Sequence, residues 1–592
     1  MAANIEKKSN FIAAVVSYFL TYFIFLFFQI RTELIIFIPA AAAVFMAVKY
    51  TIKMRGKKLM LLSAAYSVLL AASFAVGSKI NTTEKTMGSF GAEDAGNFAV
   101  LAVFFFFLVS CVMDFTVKHT AGMAAKKWSR RAYIVFWAVS SATLFLCWLP
   151  ALLIYYPGNI SGDSVACIIR AIGKAQLSNQ QPVCYILLMR PFLLAGMHIK
   201  DLNFGIACFL LFQAAVMAAA VGYALCRLKK AAAPFLAVLA AGVYFIVYPV
   251  FAMYSVTLWK DILFSVFLLL YSIDIYCLVE SGGKISRGAF IRFIVLSLII
   301  CFLRNNGFFI VAVVLVVVLI VYRKYFRRFA PAFFVLLVCV PIIQGPVYLA
   351  CGVQKSPFAE SVAIPLQQVA RVVKKDGYIT GGQRAFLNRL LNEDEMKKAY
   401  RPLTADGIKF DKDFDSEFLE THKPEFFKTW VGMLAPNFKE YVKAYCLETV
   451  GFWHVGTNNW VLFYGAADIR DARVNHIVSH DLLSKAGGPD MQKCISYYYK
   501  SWLEKPLLSD SLNIGFLFWA AVLSALALAV KKGNKYLLPY LPLLVLWATL
   551  MIATPTFCEY RYMFAFALFL PFGIIIPFIC SKPACKNNCN GT

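Results

Sequence analysis

A carboxylate fixed at the membrane surface, with a helix stop behind it and an interfacial helix ahead, is placed for proton abstraction. Asp163 is the candidate carboxylate in this sequence. It lies in a polar interruption, Tyr155–Pro191, that follows the long apolar run Tyr133–Ile154. Tyr155 and Tyr156 suit a membrane–water boundary, where an aromatic ring sits half wet. Pro157-Gly158 ends the preceding helix, since proline has no amide hydrogen and glycine permits the turn. Asp163 and Ser164 come next. From Ser164 to Lys174, apolar residues alternate with Arg170 and Lys174 as on a short helix lying along the surface. Ser178-Asn179-Gln180-Gln181-Pro182 breaks that helix before a second apolar piece begins at Val183. The bland alternative is a solvated aspartate capping the Ser164–Lys174 helix, a standard role for Asp ahead of a helix.

Other ionisable residues stand at the ends of apolar runs: Lys260 with Asp261, Arg304 with Asn305, and Glu559 with Arg561. Charge at membrane depth is costly, so such groups usually face a cavity and pair with partners or ligands. Taken singly, each basic residue is more simply read as a side chain reaching the headgroups. Four separate loops carrying charge to one face make a shared site an equal alternative.

The elements that must position these residues are membrane helices. Of 592 residues, 60% are hydrophobic and only 15% charged. Apolar runs of spanning length recur from Phe11 to Cys580, which marks a polytopic integral membrane protein. The expected spans are about 11–29, 34–52, 59–77, 97–116, 132–154, 204–226, 233–252, 256–279, 290–303, 307–322, 330–350, 512–531, 537–555 and 562–580, about 14 in all. The first lacks a small-residue cleavage site and reads as an uncleaved helix. The run Phe290–Tyr322 is broken by Arg304-Asn305-Asn306-Gly307 and is read as two short helices. With that choice the Lys/Arg clusters fall on one face, so the positive-inside rule makes both termini cytoplasmic. Asp163, Lys260, Asp261, Arg304, Glu559 and Arg561 then share the outer face.

The expected fold is an all-α membrane protein, a polytopic helical bundle with a mostly helical extracytoplasmic domain. Four parts follow: a four-helix membrane module (1–131), a transmembrane core (132–351) with its first external loop at 155–203, the polar domain (352–511), and C-terminal helices with a cytoplasmic tail (512–592). Net charge is +26, yet the polar domain is nearly balanced and the excess sits in short loops between spans. Nucleic-acid binding is therefore unsupported.

Most of the sixteen cysteines lie in apolar runs, where Cys packs as a small hydrophobe. Cys446 and Cys494 could pair if the polar domain is extracytoplasmic. Cys580, Cys585 and Cys589 read as free thiols in the tail. Trp453 and Trp460 suit interfacial anchoring or sugar stacking. His476 and His480 lack the glutamate of a zinc-protease pattern. Phosphate-cradling P-loop, dinucleotide and nucleophilic-serine motifs are absent from the sequence.

Several stretches carry a resemblance. Tyr156-Pro157-Gly158, Asp163-Ser164, the later Gln181-Pro182 and the apolar run around Tyr185 resemble the first external loop of the GT-C superfamily, polytopic glycosyltransferases that use polyprenyl-phosphate-linked sugars. Thr257–Ser265, Phe302–Phe309, Ala363–Val373 and Glu559–Phe564 resemble a bacterial branch of the same superfamily. Together they span the chain from about Trp148 to its end, leaving the first four spans outside.

The resemblance implies an inverting transfer from a polyprenyl-phosphate sugar to a glycan, lipid or protein acceptor at the outer face of the cell membrane. Asp163 would be the general base. Lys260, Arg304 and Arg561 would hold the donor phosphate, with Ser164, Gln181, Asp261, Asn305 and Glu559 in support. No cofactor is implied with certainty. Some members carry an acidic pair in this loop, but here Ser164 follows Asp163, so a divalent metal is left open. The alternatives are a transporter or flippase of a lipid-linked or anionic substrate, and a non-catalytic assembly subunit.

Overall fold

Lipid offers the backbone no hydrogen-bond partner, so long apolar runs must become helices. The computed structural model describes residues 2–54, 56–119, 128–457, 513–553 and 556–579, the side chains of residues 2–9 excepted. Its first fourteen helices are α1 (Ala2–Phe27), α2 (Leu34–Ile52), α3 (Lys57–Gly77), α4 (Ala92–Lys118), α5 (Arg130–Ile154), α6 (Gly162–Ala171), α7 (Val183–Ile199), α8 (Leu202–Lys230), α9 (Phe235–Val247), α10 (Pro249–Ser255), α11 (Lys260–Glu280), α12 (Arg287–Leu303), α13 (Gly307–Val321) and α14 (Phe326–Ile342). Among the described residues, 11 helices are long and apolar enough to cross a membrane, or 12 if the pair α9–α10, bent by 60°, counts as one span. This is an all-α, multi-pass architecture.

Helix α11 is the axis of the bundle. It is apolar on all sides, the pattern of a helix wrapped by others, and nearly all of it is buried. Around it pack α8, α12 and the C-terminal helices Leu541–Ala553 and Phe564–Ile575. Small residues set the close approaches: Gly196 of α7 meets the backbone of Gly205 in α8, and Gly222 of α8 meets Ser141 of α5. Arg304–Asn306 separates α12 from α13, and the chain folds back there. A Cβ on Gly307 would lie 2.1 Å from the Ile300 carbonyl oxygen, so only glycine fits this reversal.

Helices α3 and α4 dock on the C-terminal helix Ile514–Lys532, where the Tyr66 hydroxyl donates to the Trp519 carbonyl at 3.0 Å, and α1 and α2 pack against α4. A two-stranded antiparallel hairpin, β1 (Ile80–Asn81) and β2 (Thr86–Met87), joins α3 to α4. The polar segment folds as short helices, among them Ala363–Lys374, Gly381–Leu390, Lys423–Leu434 and Phe438–Thr449. They close on their own core of Leu366, Val369, Leu387, Leu390, Phe426 and Met433.

That segment is clasped to the last membrane loop. Thr404 bridges Thr556 in antiparallel fashion, and the Phe557 amide donates to the Leu403 carbonyl at 3.1 Å. Gly451 fits against the same loop, where a Cβ would stand 2.2 Å from the Phe557 carbonyl oxygen.

Candidate active site

Two loops run side by side where α6 begins. The segment after α5 turns at Gly158, whose φ of +143° and contact with Leu210 leave no room for a side chain. It then pairs with the segment before α11. The Asn159 amide donates to the Val256 carbonyl at 2.8 Å, and the Leu258 amide to the Asn159 carbonyl at 3.0 Å. Buried Gln213 of α8 clamps the second segment, its Nε2 donating to the Ser255 and Thr257 carbonyls at 3.1 and 2.9 Å. Ser164 Oγ donates to the Leu258 carbonyl at 2.8 Å, and the Trp259 indole N–H donates to Ser161 Oγ at 2.7 Å. The starts of α6 and α11 are thereby locked together.

Asp163 does not cap α6. Ser161 precedes the helix, and Ser164 Oγ accepts from the Ser161 amide at 3.0 Å. The helix also ends earlier than its apolar pattern predicts, at Ala171 instead of Lys174. Gly173 takes φ +80°, and the Lys174 amide returns to the Ile169 carbonyl at 2.9 Å, a glycine-dependent helix stop.

The Asp163 carboxylate therefore faces its neighbours. Gln181 Nε2 donates to Oδ1 at 3.2 Å, and Arg561 Nη1 donates to Oδ2 at 2.6 Å. Lys260 Nζ donates to Gln181 Oε1 at 2.6 Å, and Arg561 Nε lies 2.9 Å from Glu559 Oε2. A continuous polar chain, Lys260–Gln181–Asp163–Arg561–Glu559, thus joins four distant loops. The Arg561 guanidinium also lies over the rings of Trp259 and Tyr562, at 4.7 and 5.1 Å, cation–π contacts that fix its plane.

Beside this chain is a second pair. Arg304 Nη1 lies 3.2 Å from Oδ1 of buried Asp261, with its guanidinium over the same Tyr562 ring at 4.9 Å. Asn305 points away and braces the α12–α13 turn, donating to the Asn179 carbonyl at 2.9 Å.

The two carboxylates on Arg561 respond to it in opposite senses. Burial pushes the Asp163 carboxyl up, but the charges of Lys260 and Arg561 and the two hydrogen bonds outweigh it and hold the group down at about 2. Its side chain keeps 38% of its exposure, so the carboxylate is accessible on that side. Burial dominates at Glu559 and raises its carboxyl despite Arg561. Asp163 is thus a fixed anion while Glu559 is nearer to taking a proton.

Of the candidate residues read from the sequence, Asp163, Gln181, Lys260, Glu559 and Arg561 form one network, and Asp261 with Arg304 adjoins it. Ser164 holds the backbone, and Asn305 is a brace. Trp259 and Tyr562 join the site from positions that flank Lys260 and Arg561 in sequence; an aromatic next to a basic residue at a helix end is the signal that marks them. The stretch Ala363–Val373 is not at this site. It lies in the polar segment's core, where Gln367 donates to the Arg401 carbonyl and Gln368 to that of Tyr441.

Trp453 is a packing residue whose carbonyl accepts from Ser73 and Trp519. Cys446 is a free thiol. Trp460, His476, His480, Cys494, Cys580, Cys585 and Cys589 fall outside the described residues. Among the described residues no three of His, Cys, Asp and Glu converge as a metal-binding set.

Comparison with known families matches residues 170–589 to a family of unknown function, DUF6020. The chain belongs to DUF6020. The matched range holds every cation of the site together with Gln181, Asp261, Asn305 and Glu559. Asp163, Ser164 and helices α1–α5 precede it. No curated protein and no solved structure matches the chain.

Proposed function

We propose that this DUF6020 protein is a membrane glycosyltransferase of the GT-C type, moving a sugar from a polyprenyl-phosphate donor to a glycan, lipid or protein acceptor. The reading places about 14 spans in the cell membrane, with both termini cytoplasmic and the Asp163 cluster facing outward. One observation carries it: a partly exposed carboxylate and two cations from three separate loops, Asp163, Lys260 and Arg561, meet in one cluster beside Trp259.

In the proposed reaction the acceptor hydroxyl attacks the anomeric carbon as the bond from that carbon to the phosphate oxygen breaks. The hydroxyl proton passes to Asp163, and polyprenyl phosphate departs with the bonding electrons. A single displacement of this kind inverts the anomeric centre.

A carboxyl held at about 2 is a poor base while Lys260 and Arg561 attend it. The donor phosphate resolves this difficulty, because it competes for the same two cations. As they turn toward the phosphate, Asp163 loses the charges that depress it and gains proton affinity. Donor binding thus switches on the base. Arg304, committed to Asp261 and Tyr562, positions the cluster from behind.

The test is transfer by the full-length protein in liposomes, supplied with polyprenyl-phosphate-linked sugars and envelope acceptors, alongside mass spectrometry of surface glycans in a strain lacking the protein. The reading expects sugar incorporation in vitro and one missing glycan modification in the strain. Movement of the lipid-linked sugar across the bilayer with no transfer would identify a carrier instead.

A further inference from the structure

A charged recess lies away from the candidate active site, between the β1–β2 hairpin and the polar segment. Its cavity, about 410 Å³, is lined by Lys85 of the hairpin turn, by Arg371, Lys374 and Lys375, and by Glu440 and Lys443. That size falls within the range of small-molecule sites. Five cations thus face one carboxylate.

The surplus is local. Residues 352–457 hold fifteen Lys and Arg against fourteen Asp and Glu, so the segment as a whole is balanced. Elsewhere on it four lysines are matched: Lys397 with Asp376, Lys398 with Glu395, Lys409 with Glu360, and Lys423 with Glu420. Inside the recess only Arg371 is matched, its Nε donating to Glu440 Oε2 at 2.8 Å and its Nη1 to the Tyr400 hydroxyl at 3.3 Å. Among the described residues Lys85, Lys374, Lys375 and Lys443 form no ion pair with a carboxylate. Lys443 donates to the Met87 carbonyl at 3.2 Å, which ties the hairpin to the helix Phe438–Thr449 and fixes the width of the recess.

Like charges gathered on the walls of a cavity repel one another unless an anion sits among them. Several ammonium groups spread around a volume of this size suit multiple phosphate oxygens, which Lys meets as a point charge, better than one planar carboxylate, for which Arg provides the matching fork. We propose that this recess binds a phosphate-bearing anion through Lys85, Lys374, Lys375 and Lys443, with Arg371 and Glu440 as its rigid floor. The hairpin joins two membrane-spanning helices, so the phosphate can come from an anionic lipid headgroup or from a soluble phosphorylated compound. The proposal is independent of the reaction assigned to Asp163.

Lysine labelling of the full-length protein in nanodiscs, read by mass spectrometry, tests it. Lys355 and Lys428, exposed and outside the recess, are the reference. A soluble source predicts that inorganic pyrophosphate suppresses labelling of the four recess lysines in phosphatidylcholine discs while the reference pair is unchanged. A lipid source predicts the same protection from phosphatidylglycerol in the disc, without pyrophosphate. Recess lysines that label like Lys355 and Lys428 in every condition would overturn the site. The double variant Lys374→Glu/Lys375→Glu, checked for unchanged thermal unfolding, should weaken the protecting anion about tenfold or more, with a dependence on salt; unchanged protection would also overturn it.

Discussion

Helix α11 carries two buried carboxylates, Asp261 at its start and Asp274 in its second half, and each has an arginine from the α12 region. The resemblance ends there. Asp274 receives Arg292 through both oxygens, Nε at 2.7 Å, and the Tyr223 ring lies 5.6 Å from the guanidinium. One acid and one base use each other fully. At Asp261, Arg304 approaches from 3.2 Å without a well-directed hydrogen bond to either oxygen, and Lys260, Arg561, Glu559 and Asp163 crowd the same end. A pair closed on itself pins two helices together. A cluster whose carboxylate stays partly exposed keeps charge within reach of a ligand, and under the proposed function this difference separates structural charge from functional charge on one helix.

The largest effect should come from setting Asp163→Asn against Asp274→Asn. The first should lower sugar transfer by about 10²–10⁴-fold, the usual worth of a positioned base, with normal membrane insertion. The second should lower thermal stability and leave turnover per folded molecule unchanged. Transfer assays normalised to folded protein separate them, and equal losses would erase the distinction.

Arginine chemistry should sharpen it next. Lysine at position 561 keeps the charge but cannot reach Asp163 and Glu559 together, so Arg561→Lys should lower transfer by about 10²-fold, the scale of one lost transition-state donor. Arg292→Lys should cost about 1 kcal/mol of stability, a low value because Arg292 is 47% exposed.

A smaller effect concerns pH. Asp163 lies below its ordinary value of 3.8 in the folded protein. Its stabilising contribution is therefore complete above about pH 5 and fades as pH falls toward 2. Glu559 is raised above its ordinary value of 4.5, so its contribution is complete below that value and is lost as pH rises. The melting temperature of wild type relative to Asp163→Asn should accordingly fall on acidification, whereas Glu559→Gln should gain on wild type as pH rises. Parallel slopes for the two variants would contradict the assignment.

The smallest change should be Trp259→Phe. It keeps a ring beside Arg561 but loses the bond to Ser161, costing about 1 kcal/mol of stability and only a few-fold in transfer. Thermal unfolding and the same transfer assay read both.

The apolar membrane helices were legible because apolar length is a local property of a chain. Arg304-Asn305-Asn306-Gly307 announced the α12–α13 turn for the same reason. Candidate residues could be picked because charge at the end of an apolar run is conspicuous. Their partnerships could not. Nothing local assigns Arg561 to Asp163 across a separation of 398 residues, or shows that Gln213, deep in α8, sets the start of α11. The capping alternative for Asp163 failed on a subtler point, since Ser161 and Ser164 already close that helix. The lysine-lined recess was hidden because Lys85 belongs to a different part of the chain from Lys374 and Lys443.

The clasp between Leu403–Thr404 and Thr556–Phe557 makes the polar segment a structural member of the helical core. Arg561 sits only a few residues beyond that seam, so the height and tilt of its guanidinium are inherited from a domain outside the bundle. A version lacking the polar segment would retain every charged group of the cluster and lose the fastening that aims them.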